Sequence, residues 1–116
     1  MTSDVFEDFS DLDALAEDIA SNDPQRRRVA VISLSDSGDP GAVELLSSLV
    51  ADNDAGVRRQ VAIALGAFDG PRVAEGLVSL VRDASPEVAT AAAESLTDIK
   101  DQTAASILVA ALDDPH

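Results

Sequence analysis

The chain has no cysteine, tryptophan or tyrosine, one lysine (Lys100) and one histidine (His116, its last residue). Without cysteine there are neither disulfides nor thiolate metal sites. A lone terminal histidine argues against a Ser-His-acid triad and against an imidazole-based metal site. Only three residues are aromatic, too few to build a stacking platform for nucleic-acid bases. Bases are scarce as well: eight against 22 acids, a formal net charge of -14. A surface of that sign repels nucleic-acid phosphates and anionic membranes. The longest apolar runs, such as Val29 to Ile32, are far too short to span a bilayer. The acidic N-terminus has the wrong sign for a secretory signal. These absences predict a cytoplasmic protein with no membrane segment and no cofactor. Most of its charge reads as a solubilising coat, of the kind usual in a high-salt cytoplasm. The sharper reading of that charge is an acidic docking surface for a basic partner.

What the chain does have is a period of 31 residues. Shifted by that length, Leu34 falls on Leu65 and Leu96, Leu46 on Leu77 and Leu108, and Asp52 on Asp83 and Asp114. Asp23, Asp54 and Ser85 form a column of N-cap residue types. Pro24, Pro40, Pro71 and Pro86 stand where helices open, the position at which a missing N–H costs nothing. Apolar residues recur at three- and four-residue steps, as in Val43, Leu46, Leu49 and Val50. Each unit therefore reads as helix A, turn, helix B, turn, in an all-α chain. Helix A is expected at 24–35, 55–67 and 86–98, and helix B at 40–51, 71–82 and 102–113, with turns "DSGD", "FDG" and "IKD" inside the pairs. Ala62, Ala64, Ala92 and Ala93 are small enough to let helices approach closely. A helix pair cannot bury both its faces alone, whereas stacked pairs form a continuous core.

Three such repeats occupy 22–52, 53–83 and 84–114. Residues 1–21 read as an N-terminal capping region: Leu12, Leu15 and Ile19 fall in register on Val43, Leu46 and Val50, a lone helix B with Ser10 and Asp13 as a capping box. Val5, Phe6 and Phe9 are expected to fold over that end. Residues 115–116 are a tail, and Asp114-Pro115 resembles a connector to a further unit. The reading is a fragment of a longer array, or a C-terminal edge covered by a partner or by self-association.

The stretch Asp54 to Phe68, "DAGVRRQVAIALGAF", resembles the first helix of a HEAT-like repeat of the short kind also found in phycobilisome lyases. Val57, Arg58, Ala64, Leu65 and Gly66 carry the pattern; the first repeat has Arg26 in place of the valine, and the third has Ala89 in place of the arginine. The resemblance covers about residues 10–114 and implies a right-handed α-solenoid of antiparallel helix pairs, with helix B on the concave side. It implies a surface for partners, in a family that includes adaptors, maturation factors and bilin-attaching relatives. It also implies that Arg27 and Arg58 are structural, each bonding an aspartate or carbonyl of the adjoining connector, with Asp52, Asp54 or Asp83 as partners.

The search for chemistry finds caps rather than catalysts, and no enzyme is expected. Asp52 to Gly56, "DNDAG", superficially resembles a calcium loop, but Val57 and Ile63 stand where that loop needs glycine and glutamate. Asp23 and Asp54 are helix caps. The arginines at 26–28 and 58–59 offer a nucleic-acid reading, which the net charge opposes. The better binding surface is the helix-B face. Its aligned rows are Asp13, Glu44, Glu75 and Ser106; Glu17, Ser48, Ser79 and Ala110; and Gly41, Arg72 and Thr103. The function expected is a protein-binding adaptor, the alternative a bilin-lyase-like or cofactor-maturation helper.

Overall fold

The computed structural model describes residues 12–113, with side chains described through residue 99. The expected cover of Val5, Phe6 and Phe9, the Ser10 half of the capping box and the Asp114-Pro115 connector lie outside the described residues. Among those residues there are six helices and no strand. They are α1 (12–19), α2 (Pro24–Ser37), α3 (Gly41–Ser47), α4 (Ala55–Leu65), α5 (Pro71–Val81) and α6 (Pro86–Asp113).

The helices form two layers. In one, α2 packs on α4 and α4 on α6; in the other, α3 packs on α5. Within the units α2 meets α3 and α4 meets α5. Leu12 brings α1 to the start of α3, where a Cβ on Gly41 would sit 3.5 Å from Leu12 Cδ1. The core lies between the layers and repeats with the sequence. Leu34 and Leu65 are fully buried, and Leu96, the last of the column, is partly buried against the same core. Leu46 and Leu77 are fully buried, as are Ala30, Val61 and Ala92 at another aligned position. Ala62 and Ala64 are buried between helices, but Ala93 is exposed and plays no part in close packing.

Caps explain where the helices begin. Asp23 accepts the Gln25 N–H at 3.0 Å, Asp54 the Val57 N–H at 2.9 Å and Asp39 the Gly41 N–H at 2.9 Å. Ser85 departs from its column: its hydroxyl lies 3.4 Å from Glu87 Oε2, and its carbonyl accepts the Ala89 N–H. Helix ends tighten into i→i−3 bonds, so α3 gives way after Ser47 to a turn through Leu49, Val50 and Asp52. That is why it is shorter than its apolar pattern.

One expectation fails. No turn interrupts Ile99-Lys100-Asp101, and α6 runs 28 residues without a break where two helices were expected. The reason is local. The first turn uses Gly38 at φ 66° with Pro40, and the second uses Gly70 at φ 113° with Pro71. Positive φ is costly for residues bearing a Cβ. Residues 99–101 contain neither glycine nor proline, and the helix propagates through them.

Candidate functional site: the connector ladder and the helix-B face

Arg27 and Arg58 both stand in the first turn of a helix, where a cation opposes the helix dipole. Both are compensated in the same way. Arg27, 8% exposed, donates from Nη1 to the Ser21 carbonyl at 2.7 Å, and from Nη2 to Asp52 Oδ2 at 3.1 Å and Asn53 Oδ1 at 3.0 Å. Its Nε lies 2.8 Å from Asp52 Oδ1. One repeat on, Arg58 donates from Nη1 to the Asp52 carbonyl at 2.7 Å and grips Asp83 through Nε at 2.7 Å and Nη2 at 3.1 Å. Each aspartate also accepts the backbone N–H two residues later, Asp54 at 2.9 Å and Ser85 at 2.9 Å, which folds the connector into an Asx turn. Asp52 thus binds Arg27 with its side chain and Arg58 with its carbonyl, and the two rungs join.

The electrostatics of the second rung follow. The Arg58 hydrogen bonds hold the Asp83 carboxyl below the usual carboxylate range; burial opposes this, and the Ser85 N–H assists it. Arg58 is shifted up, chiefly by the same hydrogen bonds. At the third repeat the arginine is replaced by Ala89, and no such rung forms there. Asp54 is a cap, 3.8 Å from Arg28 Nε, and is not a partner of Arg27 or Arg58.

The outer arginines fare differently. Arg26 is exposed at the position where Val57 and Val88 are fully buried. Those valines are covered by the preceding helix of the layer, and α2 has no such neighbour among the described residues. Arg59 borders a shallow hollow with Glu87 and Glu94.

On the helix-B face the structure brings together Glu44, Arg72, Glu75 and Ser79. Arg72 Nη1 donates to Glu44 Oε1 at 3.2 Å across α5 and α3, with the two side chains 63% and 78% exposed. Between these helices lies an open groove of about 340 Å³ lined by Ser47, Val50, Arg72, Glu75, Gly76 and Ser79. A second hollow, about 320 Å³, continues past Glu44 and Arg72 to Pro40 and Asp69. Ser48 is exposed, but its hydroxyl turns back to the Leu45 carbonyl at 2.6 Å. Asp13 and Glu17 are exposed on α1 and do not line either hollow. The Ser106 side chain lies outside the described residues.

Sequence reasoning missed Ser47, Val50 and Gly76. The signal was present: Gly76 aligns with Leu45 and Ile107, and a glycine among large residues marks a close approach. A Cβ there would lie 3.0 Å from Leu65 Cδ1 and 3.6 Å from Val50 Cγ1. The Ser47 hydroxyl is buried at the groove wall without a protein hydrogen-bond partner.

Paired helices stacked at a fixed period and tied by connector arginines define a helical-repeat protein of scaffold type. Residues 12–88 match the family described as HEAT repeats, and the chain belongs to that family. Residues 88–114 match the PBS lyase HEAT-like repeat, the short variety within it. No curated protein matches the chain. Among the described residues no helix is long and apolar enough to cross a membrane, and no cluster of three or more metal-ligating side chains occurs.

Proposed function

We propose that this chain is a non-enzymatic adaptor whose helix-B face binds a basic segment of a protein partner. The observation that carries this reading is the open groove between α3 and α5, flanked by Glu44, Asp69 and Glu75 with Arg72 as the base among them. The Arg72–Glu44 pair is solvent-exposed and therefore weak. An incoming lysine or arginine exchanges readily onto Glu44 and Glu75. Gly76 and Ser79 keep the floor low enough for a peptide backbone to lie close. The net charge of -14 steers a cationic segment toward the chain as a whole, and the groove gives it a place to dock.

The test is binding of a fluorescent Lys/Arg-rich peptide at low salt. Glu44→Lys with Glu75→Lys reduces affinity by about tenfold or more while leaving the thermal midpoint nearly unchanged, because both residues are exposed. Equal binding by the reversed variant places the site elsewhere.

The match of residues 88–114 to the PBS lyase HEAT-like repeat supports a second reading, a bilin-handling or cofactor-maturation helper. On that reading a tetrapyrrole titrated into the protein changes its absorption spectrum; an unchanged spectrum removes it. Nucleic-acid binding is the weakest reading, since two of the five arginines it needs, Arg27 and Arg58, are committed to Asp52 and Asp83.

A further inference from the structure

α5 exposes two large apolar side chains, Val78 at 43% and Val81 at 37%. One repeat earlier the same positions are Ser47 and Val50, and there the next helix of the layer lies over them: both line the groove against α5. By the same register the helix belonging over Val78 and Val81 is 102–113. In it Ala104, Leu108 and Ala111 align with Val73, Leu77 and Leu80, the buried positions of α5. In the structure these residues instead prolong α6.

Lengths show the consequence. At 1.5 Å per residue the 28 residues of α6 span about 42 Å, against about 16 Å for the 11 residues of α5. A straight α6 outruns its neighbour and carries 102–113 away from Val78 and Val81. With no glycine or proline at 99–101, the chain lacks the device that reverses it after Gly38 and Gly70. An apolar face is left on α5, and the segment whose register matches it is held at a distance.

We propose that residues 102–113 cover Val78 and Val81 of a second copy of this chain, and that the second copy returns the same contact, giving an exchanged dimer. Each copy then supplies to its mate the layer helix that the unbroken α6 denies to itself. The arrangement is isologous, closes at two copies and needs no surface absent from the repeat.

The experiment is the mass of the full chain in solution, by light scattering after gel filtration, from micromolar to millimolar concentration. Wild type moves from 12.0 kDa toward twice that value as concentration rises. Asp101→Gly with Gln102→Pro recreates the Gly70-Pro71 junction, lets 102–113 fold back on its own α5, and holds the mass at 12.0 kDa with helical content retained. A second variant avoids altering the hinge: Val78→Ser with Val81→Ser changes exposed residues and raises the dimer dissociation constant by about tenfold or more. Glu44→Lys with Glu75→Lys leaves the mass unaltered, which separates this inference from the groove reading. Wild type that stays at 12.0 kDa at every concentration, or serine variants that associate as well as wild type, overturns it.

Discussion

Arg58→Met lowers the unfolding free energy by about 3 kcal/mol, measured by urea denaturation at pH 7. This is the low end for removing one partner of a buried ion pair, and the low end applies because Arg58 is 18% exposed. The methionine fills much of the space but leaves Asp83 facing a partly desolvated site with only the Ser85 N–H, and leaves the Asp52 carbonyl without its donor. Arg58→Met combined with Asp83→Asn costs less than the single change, because the stranded charge is gone. The loss also depends on pH in a definite sense. The folded Asp83 pKa lies below its unfolded value, so its contribution is fully present above the unfolded pKa of about 3.9 and disappears as pH falls through the lower folded value. The difference between wild type and variant is therefore flat from neutral pH down to about pH 5 and shrinks below about pH 4. A difference that grows on acidification rules the rung out as its source.

Leu65→Ala is the second large effect, a loss of about 3 to 4 kcal/mol. Leu65 is fully buried on α4 and fills the space left by Gly76 on α5, with its Cδ1 3.0 Å from where a Gly76 Cβ would stand. Truncation opens a cavity at the junction of two units, and helices on both sides must either collapse or leave the void. A small domain has about 5 to 15 kcal/mol in total, so the thermal midpoint falls by many degrees. The aligned positions give an internal control. Leu34→Ala matches Leu65→Ala, since both are fully buried, while Leu96→Ala, at a partly buried position, costs less. Equal losses at Leu65 and Leu96 argue that the column does not sit in graded surroundings.

Much of the fold was legible because its period is written in residues with little conformational choice. Prolines at helix starts and leucines at a constant spacing leave few registers open. The third unit was misread for a physical reason. Apolar spacing reports which face of a helix is buried, and that face is the same whether the helix continues or turns back. The turn is encoded separately, in Gly38-Asp39-Pro40 and Gly70-Pro71, and Ile99-Lys100-Asp101 carries no such instruction. The ladder was half legible. An aspartate recurring 25 positions after each arginine marks the partners, but the choice of Asp52 over Asp54 depends on the Asx turn that spends Asp54 on its own helix. The helix-B rows of Glu44, Arg72, Glu75 and Ser79 followed from register. The depth of the groove did not, because it depends on Gly76 bringing α3 and α5 together across space rather than along the chain.

The double duty of Asp52 makes the modules unequal as parts. Duplicating residues 53–83 supplies a new arginine six positions after Asp83 and a new aspartate beyond it, so the inserted copy completes its own polar wiring. Excising the same stretch brings Ala89 to the place of Arg58 and orphans the Asp52 backbone oxygen, although the Arg27 contact survives. The array is thus built to lengthen without mending and to shorten only with damage, an asymmetry that resides in one main-chain carbonyl.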